Sequence, residues 1–357
     1  MANSRKASVG GPGGRIRSPR EEYMARMAAA FAASHSVMLT CTLEDWQKNF
    51  RTFDPKGAFY DRQGNEVTYA QLLAMAPPNA AELVTDEAIA MRFHETQRAM
   101  KHMRDAVQAA NLDVLIICGD DQNELFSAHL QPAIGVYHGK TIRNAQRKDV
   151  PPDAWYKRAQ MRRLEEDGPV DYPIADKMAL HFIHGLIERG FDIAALGGMP
   201  PDKHEGHAFS FMHRFFLDGA VVPIVPIFLN TYFPPNQPTP KRCVDLGRAV
   251  GELVASFPDD MRVGFIASGG LSHFQAEEDL DNAVIDALRR KDLTYLENLD
   301  VKRLQAGSSE IRNWLVLAGA CPELDLTWVS YTPGYRTEAL TGTGLGFATW
   351  SPPKVAE

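Results

Sequence analysis

Leu112-Asp113-Val114-Leu115-Ile116-Ile117-Cys118 is a short β-rich apolar run that stops at Gly119-Asp120-Asp121. A buried strand ending in a polar turn is the natural reading, because a strand covered on both faces loses its apolar/polar alternation. Immediately upstream, residues 83–109 carry Ile89, Phe93, Met100, Met103 and Val107 at helical spacing, as an apolar stripe. The pattern repeats downstream. A helix is expected over 174–189, a proline-interrupted strand over 221–229 and a helix over 241–256. A strand over 262–267 then ends in Ser268-Gly269-Gly270, and helices follow over 276–290 and 308–320. Strands alternating with helices predict an α/β fold: a central, mostly parallel mixed sheet with helices on both faces. In such sheets the chemistry sits beyond the C-terminal ends of the strands. The turns at 119–122 and 268–273 both fall there.

The 357 residues are 45% hydrophobic and 23% charged, with a formal net charge of -7 and a pI near 5.9. A mildly acidic chain gives no electrostatic reason to expect nucleic acid or anionic membrane as a partner. No stretch approaches the roughly 20 apolar residues of a membrane span. The basic, Gly- and Ser-rich start lacks the apolar centre of a secretory signal, so residues 1–22 are expected to be a disordered tail and 23–357 one catalytic domain. Cys41, Cys118, Cys243 and Cys321 are far apart with no CxxC pair, which fits a reducing cytosol and structural thiols.

Four clusters could carry chemistry: Ala33-Ser34-His35-Ser36, Gly119-Asp120-Asp121-Gln122-Asn123, His204-Glu205-Gly206-His207, and Ser268-Gly269-Gly270-Leu271-Ser272-His273. Glu310 opens a further helix, in Ser308-Ser309-Glu310-Ile311-Arg312-Asn313-Trp314. Each has a purely structural reading. His35 fits a satisfied core histidine, the aspartates fit turn or cap positions, and a glutamate at a helix N-terminus is favoured by the dipole alone. Together they are more informative, because His and Glu ligands around an open position are what non-haem Fe(II) oxygenases use. Two further histidines would serve proton transfer near neutral pH.

The order and wording of these clusters resemble the class III extradiol dioxygenases, typified by the catalytic β subunit of protocatechuate 4,5-dioxygenase. The resemblance runs from His35 to Trp314. It is carried by SGGLSH at 268–273, PIFLNTYFPPNQPTPKRC at 226–243, LGRAVGELVASFP at 246–258 and the ExxxW from Glu310 to Trp314. GDDQNELF at 119–126 and the Gly/Pro-rich end of the chain resemble the 3-O-methylgallate dioxygenase branch. The resemblance implies that His35 and Glu310 are metal ligands, that His273 is the general base and acid, and that His207 is a second active-site histidine. It departs at one point. The family's second ligand histidine follows an aspartate after a strand, and here that pair reads Asp121-Gln122. Three alternatives stay open: Gln122 ligates through its amide oxygen; Asp121, His129 or His138 substitutes; or the site binds metal poorly.

The resemblance further implies a ring-opening dioxygenase using Fe(II), or Mn(II) if the site is oxygen-rich. It would act on an aromatic diol such as protocatechuate, gallate, 3-O-methylgallate or a hydroxypyridine diol, together with O2. Asn230, Thr231 and Arg336 are candidates to meet a substrate carboxylate, and Tyr232 and Phe233 to stack on its ring. The insert at 42–83, with Trp46, Phe50, Phe53 and Tyr60, is expected to cover the pocket that a small α-type subunit lids in the founding member. A homo-oligomer is the expected assembly. The competing readings are a metal-poor relative acting as a partner subunit and a metal-dependent hydrolase. A Ser-His hydrolase is disfavoured by the lack of a G-x-S-x-G elbow.

Overall fold

The computed structural model describes residues 24–146, 151 and 154–354. The expected tail at 1–22 lies outside the described residues. Among the described residues nine strands form the main sheet: β1 (Arg26–Ala33), β2 (Val114–Gly119), β3 (Ile134–Tyr137), β4 (Ala194–Leu196), β5 (Ile224–Leu229), β6 (Arg262–Ser268), β7 (His273–Gln275), β8 (Asp325–Tyr335) and β9 (Thr341–Ser351). Their order is β4-β3-β5-β2-β6-β1-β9-β7, with β8 along the other edge of β9. The centre, β5-β2-β6-β1, is parallel throughout. Antiparallel pairings flank it, β3 with β5 on one side and β9 with β1, β7 and β8 on the other.

The opening stretch behaves as its composition demands. All six residues of β2 are buried, and their side chains alternate between two cores. Val114, Ile116 and Cys118 join one apolar cluster and Leu115 and Ile117 the other. The first cluster packs under α3 (Asp176–Glu188), α5 (Pro240–Ser256), α6 (Glu278–Arg290) and α7 (Ile311–Ala320). The second packs under α1 (Asp86–Ala109), α2 (Trp155–Leu164) and α4 (His207–Met212). Helices therefore cover both faces. The expected stripe of α1 holds: Ile89, Met100, Met103 and Val107 are buried and Phe93 packs partly buried beside them. Thr85 caps α1 by accepting from the Ala88 amide, with Asp86 and Glu87 favourable in the first turn. Among the described residues no helix is long and apolar enough to cross a membrane.

Of the nine strands, β1, β3, β4, β7, β8 and β9 fall outside the expected ones, and β1 and β9 show why. β1 reads RMAAAFAA and β9 reads TGTGLGFATWS, and both are buried almost throughout. With both faces covered, neither alternation nor bulk marks them. In the 42–83 insert, Trp46 and Phe50 are core residues, while Phe53 and Tyr60 are 42% and 38% exposed. The insert is tied to the turn after β8 by Asp54, which accepts from Arg336 Nε at 2.9 Å and Thr341 Oγ1 at 2.6 Å.

Helices α5 and α7 approach until their backbones touch. A Cβ at Gly247 would lie 2.0 Å from the Val316 carbonyl oxygen, and one at Gly319 2.1 Å from that of Val244. This contact seats α7, whose N-terminus carries Glu310. Gly247→Ala is expected to cost about 1–3 kcal/mol of stability through overpacking. The check is urea unfolding, which should show a lower midpoint at an unchanged slope.

Candidate metal centre

Strands β2, β6 and β1 are parallel neighbours, so their C-terminal ends open on one edge. Three site residues sit at those ends: His35 two residues past β1, Asp120 next to β2, and Ser268 as the last residue of β6. Glu310 arrives from the N-terminus of α7, and His207 begins α4. Gly119 lets α4 come close, since a Cβ there would stand 2.7 Å from the Ala208 Cβ. One ligand atom each from His35, Asp120, His207 and Glu310 fits within 4.8 Å of all the others, and all four residues are buried.

Hydrogen bonding fixes what each group offers. Ser268 Oγ has one proton, and it goes to the Ala208 carbonyl at 2.6 Å. The 2.8 Å contact with His35 Nδ1 must therefore be donated by the imidazole, which leaves the His35 Nε2 lone pair facing the cluster. His207 Nδ1 lies 2.5 Å from Glu124 Oε1 and gives it the proton, so His207 Nε2 faces inward too. The two Nε2 atoms are 3.2 Å apart. His35 Nε2 is also 3.2 Å from Glu310 Oε2 and 3.7 Å from Asp120 Oδ1. Asp120 Oδ1 is buried with no hydrogen-bond partner among the described residues. Two inward lone pairs, two carboxylates and an orphaned carboxylate oxygen at one buried point call for positive charge. The donor set fits a divalent cation that takes imidazole and carboxylate.

The same contacts set the charge states. Burial raises the Asp120 carboxyl, and Glu310 adds to the rise. Burial would raise Glu310 as well, but the His35 and His273 imidazoles outweigh it and hold Glu310 well below the usual carboxylate range. Burial works against the charged form of His207, yet the Glu124 carboxylate wins and lifts its pKa. Burial likewise opposes a charged His273, and Glu310 likewise overrides it. His273 Nδ1 donates to the Leu271 carbonyl at 2.8 Å, while Nε2 stands 3.3 Å from Glu310 Oε1. His273 thus presents one ring nitrogen to the centre. The preceding turn is bolted to α7: Gly270 N donates to Glu310 Oε2, Trp314 Nε1 to the Gly269 carbonyl and Asn313 Nδ2 to the Ser268 carbonyl.

His35, His207, His273 and Glu310, all candidates on sequence grounds, are brought together. Gln122 reaches the cluster through its amide nitrogen, 3.1 Å from Asp120 Oδ2 and 3.3 Å from Glu310 Oε1. Asp121 faces away and caps its own turn, accepting from the amides of Asn123, Leu125 and Phe126. His129 is exposed, and neither it nor His138 belongs to the group. Asn230 spends its side chain on its own loop, bonding Phe233 and Asn236. Arg336 is buried against Asp54 and over the Phe50 ring. Thr231 Oγ1 is buried without a partner among the described residues. Sequence reasoning gives Asp120 no role beyond a turn or cap and overlooks Glu124 and Arg163. Arg163 Nη1 donates to the His35 carbonyl at 3.2 Å, and its buried Nε has no partner among the described residues.

The family described as catalytic LigB subunit of aromatic ring-opening dioxygenase matches residues 161–347, just over half of the chain. The chain is 34% identical over 110 residues to a 2,3-dihydroxyphenylpropionate/2,3-dihydroxicinnamic acid 1,2-dioxygenase of Comamonas testosteroni, covering 31% of this chain and 32% of that protein. A protein of the same name from Photorhabdus laumondii is 30% identical over 166 residues, 44% of this chain and 49% of its own length. A gallate dioxygenase of Pseudomonas putida is 30% identical over 164 residues, 41% and 46% respectively. The chain thus spans from 32% to 49% of the length of these relatives.

The loop that carries His273 hangs on a buried carboxylate. Asp281 accepts from Ser272 N at 2.8 Å, Ser272 Oγ at 2.7 Å and Tyr331 OH at 2.8 Å. Burial outweighs these donors and pushes its pKa up to about 7. A folded-state pKa above the unfolded one means that the native protein binds the proton more tightly. The Asp281 contribution to stability is therefore full below the unfolded carboxyl pKa of about 4 and is lost as pH rises toward 7. Denaturant unfolding of wild type and Asp281→Asn between pH 4 and 8 should show wild type losing ground to the variant as pH rises. A constant difference across that range would contradict the assignment.

Proposed function

The chain belongs to the family of catalytic LigB subunits of aromatic ring-opening dioxygenases, and from that membership we propose that it is a non-haem, metal-dependent extradiol dioxygenase. It uses O2 to open the ring of a catechol- or gallate-type aromatic acid beside adjacent hydroxyls. The observation that carries this is the buried convergence of two inward imidazole nitrogens with two carboxylates, flanked by a third histidine that turns one ring nitrogen toward the centre, 3.3 Å from Glu310 Oε1. The relatives' names, a dihydroxyphenyl acid and a trihydroxybenzoate, support a ring diol bearing a carboxylate.

His35, Asp120, His207 and Glu310 would hold the cation. We assign Fe(II), with Mn(II) as the alternative that the second carboxylate favours. When bound, such an ion lowers the pKa of a ring hydroxyl and holds the diol and dioxygen side by side. His273 takes the hydroxyl proton at Nε2 and returns it later in the reaction, while its Nδ1–H stays on the Leu271 carbonyl and fixes the ring. Glu124 fixes His207 in the same way through Nδ1 and makes its Nε2 a better donor. With Arg336 neutralised by Asp54, we assign recognition of the substrate carboxylate to Arg163, whose Nε has no partner among the described residues, and to the Thr231 hydroxyl.

Oxygen-electrode assays of Fe(II)-reconstituted protein with a catechol and gallate panel should show O2 uptake that depends on a diol. Uptake with none of them, or product formation without O2, would contradict the reading. His273→Ala is expected to keep bound metal and lose most of kcat, and Glu310→Ala to lose the metal. Metal analysis beside steady-state kinetics reads both. Arg163→Leu is expected to raise KM for a carboxylated diol far more than for catechol itself, and equal changes for the two would remove Arg163 from substrate recognition.

A further inference from the structure

We infer that, where the resemblance places a second ligand histidine, ligation passes two residues back to Asp120, and Gln122 acts as the clamp that aims Asp120 and Glu310 at the cation. This rests on the metal-dependent reading above. Gln122 Nε2 sits 3.1 Å from Asp120 Oδ2 and 3.3 Å from Glu310 Oε1. Both neighbours are carboxylate oxygens, so the end of the amide that faces them is the NH2, whichever way its two ends are named. An amide nitrogen that donates to two carboxylates has no lone pair to give a metal. The amide oxygen, which could ligate, is at the other end of the group.

Asp120 has what Gln122 lacks. Its Oδ2 is held by the amide, and its Oδ1 is buried, without a hydrogen-bond partner among the described residues, and 3.7 Å from His35 Nε2. The clamp also answers an electrostatic difficulty. Two buried carboxylates at one point repel each other, and a donor shared between them lowers that cost before a cation arrives. The Gln122 backbone extends the arrangement, since its N–H donates to Glu124 Oε2 at 2.8 Å and Glu124 in turn holds His207. One residue thereby governs the aim of three donors. The donor set of two imidazoles and two carboxylates has one carboxylate more than a two-histidine, one-carboxylate site, which moves the centre toward a harder ion.

The test is anaerobic Fe(II) binding by equilibrium dialysis, without substrate, on the full chain. Gln122→Met keeps the length and removes the donor. Gln122→Ala is the second variant, and circular dichroism reports the folding of each. Either folded variant should still bind one Fe(II) per chain, with affinity reduced about 10- to 100-fold, the range for loss of an orienting partner. Asp120→Asn should lose stoichiometric iron, as Glu310→Ala does. Loss of iron from the Gln122 variants as complete as in Glu310→Ala would overturn the proposal, and so would wild-type binding by Asp120→Asn. If Glu310→Ala itself kept its iron, the metal-centre reading would fall instead, which separates the two claims.

Discussion

The site is organised by a charge that the protein does not itself supply. His35 and His207 each spend Nδ1–H on a fixed acceptor, Ser268 and Glu124, and so point lone pairs at each other across 3.2 Å. Glu310 and Asp120 add negative charge to the same buried point. In a low-dielectric interior this arrangement is costly without a proton or a cation between the groups. The surrounding bonds keep the donors from turning away to relieve it. Ser268 is locked to Ala208, Glu310 to the Gly270 amide, and Glu124 to the amides of Gln122 and His207. A site strained toward binding before its ligand arrives is what preorganisation means in physical terms.

The fold supplies the convergence cheaply. Three parallel strands end at one edge and deliver His35, Asp120 and Ser268 without long loops. Glu310 needs α7 at a fixed height, and the contact of Gly319 on α7 with Gly247 on α5 sets that height at the limit of backbone approach. The opposite face contributes α4, pressed on Gly119 and carrying His207. The candidate metal donors therefore come from both layers over the sheet, and the closeness of each helix to the sheet becomes a determinant of site geometry.

Much of this was legible in the sequence where a local signal existed. The strand 112–118 and the helix stripe from Ile89 to Val107 declared themselves through composition and period. His35, His273 and Glu310 became visible through the family wording around them. The C-terminal hairpin was silent, because TGTGLGFATWS is covered on both faces and has neither bulk nor alternation to show. The choice between Asp120 and Asp121 has a weak signal in the strand period. Cys118 faces the α7 side of the sheet, and continuing the two-residue period puts 120 and 122, not 121, on that side. Arg336 and Asn230 read as free polar groups, and only tertiary partners distant in sequence, Asp54 for the arginine, or packed within one loop for the asparagine, show them spent. Glu124 and Arg163 had no signal at all, since their roles arise from contacts with histidines far along the chain.

The central claim is that one divalent cation binds where these four side chains meet. Anomalous diffraction at the iron edge, from crystals of the anaerobically Fe(II)-loaded protein, tests it most directly. The account expects a single strong peak bonded to His35 Nε2, His207 Nε2, Glu310 and Asp120, with His273 close but not bonded. A peak elsewhere in the molecule, or one held by His273 in place of Glu310, would contradict it.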